Sequence, residues 1–348
     1  MLNLLEFPGH EMVVFAGDEE SGLRAIIALH STARGPAAGG VRLRPYRRVE
    51  DALHDVLELS RAMTLKNAIA DLPLGGGKAV IIADPNRDKT EALFEAFGRA
   101  VDRLGGHYWA AEDMGVGPDD MAVVARTTRY VAGLPTGPFA GGDPSPVTAA
   151  GVFEGIKIAL RHTTGSEALA GRTVAVQGLG HVGSNLCALL REAGADLIIT
   201  DLNAALLAET QREYGVLAVS PEEIYTVQAD VFAPCAGGGI LNEATISRLN
   251  VRVVAGAANN QLETSACANH LANRGILYAP DFVINAGGII NVAAEILRVR
   301  NPDDYVTQKL NGLTATLDEV LGQALREGRS PLAIAEEIAT RRIGQLPN

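Results

Sequence analysis

The stretch 172–201, RTVAVQGLGHVGSNLCALLREAGADLIITD, constrains the fold more than any other part of the chain. TVAVQ is a short, mostly apolar run of the kind that forms a buried parallel strand. It leads straight into Gly178, Gly180 and Gly183, spaced G-x-G-x-x-G, with His181 and Val182 inside the turn and a helix predicted over 181–193. A second apolar strand, LIIT, then delivers Asp201, eighteen residues after Gly183. The glycine spacing alone is weak evidence, but with the strand, helix and acid around it the pattern reads as a βαβ dinucleotide-binding unit. The first glycine permits the tight turn, the second lets a pyrophosphate approach the helix N-terminus, and the third allows close helix–strand packing. Asp201 stands where a carboxylate accepts hydrogen bonds from ribose hydroxyls and repels a 2′-phosphate. No arginine or lysine follows closely in LNAALLAET, so NAD is expected over NADP.

The alternation of strands and helices continues with a helix near 203–214, VLAVS, strands at 230–236 and 251–256 and a helix near 264–273. These strands end in small or polar residues, Ala236-Gly237-Gly238 and Ala257-Ala258-Asn259-Asn260, as expected where a ligand meets the carboxyl edge of a parallel sheet. A helix over 289–298 follows, and the remainder is helical apart from a break at Gly328-Arg329-Ser330-Pro331. Upstream, GLPTGPFAGGDPSP at 133–146 reads as a linker; Ser145 or Thr148 can cap the next helix, with Pro146 in its first turn. The N-terminal part is mixed α/β: strands 12–16 and 23–30, a small-residue loop at 35–42, a helix ending near Lys66, a strand 79–83, a helix 89–104, and a strand ending at Glu112 and Asp113. The expected fold class is therefore α/β in two domains, for which 348 residues suffice. A substrate-binding domain spans 1–136, with helices from about 325–348 returning to it, and a Rossmann-type domain spans 137–324.

In the first domain KNAIADLPLGGGK sets Lys66 and Lys78 twelve positions apart, the second behind a glycine triplet at a strand entrance. Two ammonium groups brought close lower each other's pKa, and partial burial adds to this. A free lysine titrates near ~10.4, whereas a lysine base works best at roughly 7–8. GGGKA is not a P-loop, because Leu72 stands where the first glycine is required and Ala79 where Ser or Thr is required. Glu112 and Asp113, at a strand exit, fit either a solvated loop or a catalytic group.

A net charge of −11 argues against nucleic acid or an anionic membrane as partner. The three cysteines, Cys187, Cys235 and Cys267, are scattered, show no metal-ligand spacing and suit a reducing cytoplasm. No metal site is expected. No apolar run approaches the ~20 residues that span a bilayer, and the opening MLNLLEFPGHEM lacks the pattern of a signal peptide.

The motifs GPAAGGVR, MTLKNA, LPLGGGKAVI, AAEDMG, DPSPVTAAGV, VQGLGHVG, VFAPCAGGGI, AGAANNQL and APDFVINAGGIINVA run through almost the whole chain. Together they resemble the amino-acid dehydrogenases acting on glutamate, leucine, valine, phenylalanine and tryptophan, and most closely the shorter members acting on branched-chain and aromatic substrates. The resemblance implies reversible NAD-dependent oxidative deamination of an L-amino acid to a 2-oxo acid and ammonia, in a cleft that closes between two domains. It implies that Lys66 pairs with the substrate carboxylate, Lys78 activates water and Asp113 exchanges protons with the amine. Asn260 would contact the substrate carboxylate or the cofactor, the Gly39–Gly40 backbone would line the site, and Thr148 and Asn285 would lie by the nicotinamide. The side-chain pocket would be lined by Ala38, Ala111, Ile289 and Val292. Glutamate-specific members carry a lysine and a serine at the positions matching Ala38 and Val292, so a hydrophobic substrate is expected, leucine-like first and phenylalanine or tryptophan second. A homo-oligomer built through the first domain is also implied. Two departures stand out: His181 replaces a common Asn, and Ala38 replaces the bulkier residue of leucine-type members. A catalytically silent relative would be expected to have lost Lys66, Lys78 or Asp113, and all three are present.

Overall fold

The computed structural model describes residues 9–345, so most of the opening segment considered for a signal peptide, and the last residues of the returning C-terminal segment, lie outside the described residues. The chain forms two compact units, one running to Pro144 with Ile289–Thr307 and the segment from Ala339, the other Ser145–Gly288 with Gln308–Ile338.

The first unit is built on a five-stranded sheet in the order β1-β2-β4-β3-β5. Its strands are β1 (Met12–Asp18), β2 (Leu23–Ser31), β3 (Ala37–Arg44), β4 (Gly75–Ile82) and β5 (Tyr108–Glu112). β1 and β2 form a hairpin, β2 pairs antiparallel with β4, and β3 runs parallel to both β4 and β5. Period-two alternation sorts the side chains. Ile26, Ala28, Val80 and Ile82 pack on Ala52, Leu53 and Val56 of α1 (Val49–Ile69), while Ala25, Ile27, Ala79 and Ile81 face Leu93, Phe94 and Phe97 of α2 (Glu91–Asp102). Each valine, leucine, isoleucine or phenylalanine among them contributes roughly 1.5–3 kcal/mol when fully buried. α1 opens with Glu50 and Asp51 and closes with Lys66 in its last turn, the charge order that its dipole favours. Thr90 caps α2 by accepting from the Leu93 amide at 3.1 Å, and α3 (Pro118–Val124) follows.

Two expectations change here. The segment 35–42 is not a loop: Ala37–Arg44 is the buried strand β3, and its small residues answer to its neighbours. A Cβ on Gly39 would lie 1.9 Å from the Gly77 carbonyl oxygen. The glycine triplet, expected ahead of a strand at 79–83, is likewise part of the strand, since β4 starts at Gly75. A Cβ on Gly76 would meet the Thr64 amide nitrogen at 2.1 Å, so the triplet lets α1 lie directly on the strand.

The second unit starts with α4 (Ser145–Thr164), whose first two residues are Ser145 and Pro146. Its six-stranded sheet is parallel throughout, in the order β11-β10-β9-β6-β7-β8. The strands are β6 (Thr173–Gln177), β7 (Asp196–Thr200), β8 (Leu217–Ala218), β9 (Val231–Pro234), β10 (Val253–Val254) and β11 (Leu277–Tyr278). Chain order 3-2-1-4-5-6 across the sheet is the doubly wound dinucleotide-binding topology, with its switch point between β6 and β9. The helices α5 (His181–Glu192), α6 (Ala204–Tyr214), α7 (Glu243–Arg248) and α8 (Ala266–Asn273) lie between successive strands, and α9 (Asp281–Ile284) follows the last one. They are followed by α10 (Gly287–Ile296), α11 (Pro302–Glu327) and α12 (Pro331–Ile343).

The observed division departs from boundaries at 136 and 324–325. The segments 133–141 and Ile289–Thr307 belong to the first unit, where Glu295, buried in α10, accepts from the Gly133 amide at 2.7 Å and the Gly141 amide at 3.5 Å. The return at Ala339 is fixed by arginines. Arg34 donates to the Arg342 and Gln345 carbonyls at 2.5 and 3.0 Å and pairs with Asp71 at 2.6 Å, while Arg342 donates to the Ile69 carbonyl.

Candidate active site

In the first unit, three parallel strands and the end of α1 converge on Lys78. Its residue is 5% exposed, and its Nζ stands 2.9 Å from Oδ2 of Asp113, just past the end of β5. Arg42 of β3 reaches the same oxygen through Nε at 3.0 Å and touches Asp55 of α1 at 3.3 Å. Tyr46 in turn donates to Asp55 at 2.5 Å. Burial pushes the Asp113 carboxyl up, but the charges of Lys78 and Arg42 outweigh it and hold it down at about 2. Burial likewise disfavours the Arg42 charge, and Asp113 and Asp55 more than restore it. Where the sequence suggested one lysine against another, the charge that Lys78 meets at contact distance is a carboxylate.

Gly40 forms the seat of this pair: a Cβ there would lie 2.7 Å from the Asp113 Cβ and 3.1 Å from the Lys78 Nζ. Beside it, the buried Tyr108 hydroxyl donates to the Gly39 carbonyl at 2.9 Å. Lys66 lies half-buried in the last turn of α1, next to Asn67, whose side chain donates to the Gly75 carbonyl at 2.5 Å and anchors that turn on β4. Ala38 is fully buried in β3, and Ala111 lies in the neighbouring β5. Ile289 and Val292 stand three residues apart on α10 and share a face.

The second unit collects the other set. Gly178 has φ +95°, and a Cβ there would lie 2.7 Å from that of Ala236, across the switch point. A Cβ on Gly183 would meet the Gly178 carbonyl oxygen at 2.0 Å, whereas one on Gly180 would meet nothing within 4 Å. The three glycines thus divide into a turn, an open approach and a packing contact, the division that pyrophosphate binding requires. A cavity of about 300 Å³ adjoins them, with Gln177, Thr200, Asp201 and Ala236 in its lining. Asp201 accepts from the Leu179 amide at 2.6 Å and the Asn203 amide at 2.7 Å, which aims the carboxylate and leaves lone pairs for further donors. Gln177 Oε1 and Thr200 Oγ1 are buried and lack protein partners. So does Oδ1 of Asn285, whose Nδ2 is fixed to the Ala257 carbonyl and Asn259 Oδ1, both at 3.0 Å. Polar atoms orphaned in this way, beside an open glycine turn, fit a bound dinucleotide, its carboxamide included. Thr148 is buried in α4, and the exposed His181 and half-buried Val182 open α5. Asn260 is exposed at φ +51°, a conformation that Asn tolerates well.

Comparison with known proteins fixes the family. The model of the Glu/Leu/Phe/Val dehydrogenase dimerisation domain matches residues 10–130, and that of the Glutamate/Leucine/Phenylalanine/Valine dehydrogenase domain matches 203–346. The leucine dehydrogenase of Bacillus subtilis is 44% identical over 346 residues, 99% of this chain and 94% of the relative. The chain belongs to the Glu/Leu/Phe/Val dehydrogenase family. Among other relatives, the phenylalanine dehydrogenase of Lysinibacillus sphaericus is 46% identical, over 90% of this chain and 84% of its own. The crystal structure of L-tryptophan dehydrogenase from Nostoc punctiforme superposes with a TM-score of 0.83 at 43% identity, covering 98% of this chain and 97% of that one. As a member of this family the chain is an amino-acid dehydrogenase, an oxidoreductase working with a pyridine nucleotide.

Sequence reasoning missed the Arg42–Asp55–Tyr46 chain behind Asp113. With β3 taken for a loop, the alternation that puts Gly40 and Arg42 on one face of a strand went unread. Burial pushes the Cys235 thiol up to about 11 and the Cys187 thiol up to about 12. Among the described residues no metal-binding cluster occurs, and no helix is long and apolar enough to cross a membrane.

Proposed function

We propose that this dehydrogenase catalyses the reversible NAD-dependent oxidative deamination of a hydrophobic L-amino acid, leucine, valine or isoleucine before others, to the 2-oxo acid and ammonia. The observation that carries the reading is the buried ion pair of Lys78 and Asp113 seated on Gly40. Lys66 holds the substrate carboxylate, with the Gly39–Gly40 backbone beside it. An ionised Asp113 is an acceptor, as binding of an α-amino group requires. A bound nicotinamide would supply the acceptor for the α-hydrogen as hydride, so that a neutral substrate amine would become a protonated imine. Lys78 then takes a proton from the water that adds to the imine carbon. Proton exchange through Asp113 equips the nitrogen to leave as ammonia as the carbon–oxygen double bond forms. Gly178, Gly180, His181, Val182, Gly183, Ala236 and Ala257 surround the dinucleotide, Asp201 takes its ribose hydroxyls and Thr148 and Asn285 hold the nicotinamide end. Asp201 favours NAD over NADP, since a 2′-phosphate would meet its charge.

Ala38 and Val292 set the substrate class. Both are apolar, so a second substrate carboxylate would lose its water without a partner, at a cost of several kcal/mol. Phenylalanine or tryptophan is the second reading, favoured by the small side chain of Ala38. The enzyme acts in the cytoplasm as a homo-oligomer joined through the first unit. The dimerisation-domain description of its family model and the exposed Met12 and Phe15 on the edge strand β1 support this assembly. A monomer in light scattering at micromolar concentration would contradict it. The test of the chemistry is a panel of L-amino acids assayed with NAD and NADP. Leucine, valine or isoleucine should lead and glutamate should trail, and NAD should have the higher kcat/KM. Glutamate outpacing both leucine and phenylalanine would overturn the substrate class.

A further inference from the structure

Arg42 packs against the reacting pair with its side chain 14% exposed, and the chemistry above gives it no part. Its Nε and the Lys78 Nζ converge on one oxygen of Asp113, at 3.0 and 2.9 Å. Its Nη1 lies 3.3 Å from both oxygens of Asp55, and Tyr46 donates to Asp55 at 2.5 Å. Asp113 therefore answers to two cations of different kinds. A lysine serving as base must lose its charge once in every turnover. A guanidinium does not deprotonate at any pH that a protein survives. Without Arg42, each departure of the Lys78 proton would leave a largely buried carboxylate with no cation beside it, a strongly unfavourable arrangement. With Arg42, the carboxylate stays paired, and its pull on the Lys78 ammonium is shared.

We infer that Arg42 is a positioning residue: held by Asp55 and Tyr46, it keeps Asp113 paired and in place while Lys78 gives up and regains its proton. The inference rests on the proposed role of Lys78 as base. The elements around the pair carry further charged and titratable side chains: Arg44 on β3, Glu50, Asp51, His54, Asp55, Glu58, Arg61 and Lys66 on α1, Tyr108 and Glu112 on β5, and Tyr46 after β3. A purely architectural role, welding β3 to α1, is the alternative. The two differ in what they do to the pH profile.

The experiment measures kcat/KM for deamination against pH in the wild type, Arg42→Gln and Arg42→Lys, with thermal unfolding as the check on folding. Loss of the charge in Arg42→Gln removes one of the two cations that meet Asp113 at about 3 Å and leaves Lys78 in place. The acid limb should then move to higher pH by about one unit or more, a tenfold or greater loss below it. Arg42→Lys keeps a charge but not the bridge to Asp55. Its limb should stay in place while kcat falls about tenfold, with the KM for NAD unchanged. An Arg42→Gln limb at the wild-type position, with activity lowered equally at every pH, would overturn the inference. If the glutamine variant does not fold, Arg42→Lys decides, and wild-type kcat in that variant overturns the inference. Failure of the underlying reading looks different: the wild type would then deaminate no amino acid, or Lys78→Ala would match it.

Discussion

Replacing Gly40 with alanine adds a single methyl group at the point where β3 passes the reacting pair. The new Cβ would lie 2.7 Å from both the Asp113 Cβ and the Glu112 carbonyl oxygen, and 3.1 Å from the Lys78 Nζ. Ordinary non-bonded contacts sit at ~3.5–4.0 Å, so the neighbours must retreat by roughly 1 Å. The flexible lysine tip can give way. The Glu112 carbonyl cannot do so easily, because β5 is paired with β3 at this level, Gly40 opposite Ala111 and Val41 opposite Glu112. The displacement therefore falls on Asp113 and on its contact with Lys78. Overpacking of this kind costs about 1–3 kcal/mol of stability, and a misplacement of ~1 Å at a reacting centre costs about 100-fold in rate. Thermal unfolding and steady-state kinetics on the purified variant read both quantities, and the rate loss should far exceed what the small loss of folded protein explains. Wild-type kcat in Gly40→Ala would refute the placing of the chemistry at this pair.

Gly180→Ala should behave in the opposite manner. Its φ of −60° suits alanine and its Cβ would meet nothing within 4 Å, so unfolding should be unchanged while the KM for NAD rises at least ~10-fold, and an unaltered KM would contradict the pyrophosphate placement. The Asp113 carboxyl is held at about 2, below its ordinary 3.8, so its stabilisation is complete above the ordinary value and is lost as pH falls through the lower one. Acid titration of unfolding free energy should find about 2 kcal/mol of wild-type stability fading between about pH 4 and pH 2, a loss that Asp113→Asn should not show.

The two halves of the fold were unequally legible. The dinucleotide unit could be read because TVAVQ and LIIT are apolar runs too short for helices, and because Gly178 and Gly183 have no tolerable substitute in the turn that they make. The sheet of the first unit was harder. Ala37–Arg44 and Gly75–Gly77 have the composition of loops, yet they are central strand, since Gly39 and Gly76 have no room for a side chain against Gly77 and Thr64. That information belongs to the neighbouring strand and helix and is absent from the segment itself. The same gap hid Arg42, which is meaningful only once β3 is a strand and Asp113 lies beside it. The long-range fastening of Glu295 to Gly133, and of Arg34 to Arg342, joins residues far apart in the chain, and no local pattern announces it. Lys78 and Asp113 were singled out in advance from their positions in the strands, but their direct contact was not.

The central claim is that Lys78 is the base of an NAD-linked amino-acid deamination. The most direct measurement is the turnover number of Lys78→Ala beside the wild type, with L-leucine and NAD at alkaline pH. Thermal unfolding should show that the variant is folded, and NAD binding should be retained. The account predicts a fall in kcat of at least ~100-fold, the low end of what a general base contributes. A folded, NAD-binding Lys78→Ala enzyme with the wild-type turnover number would contradict it.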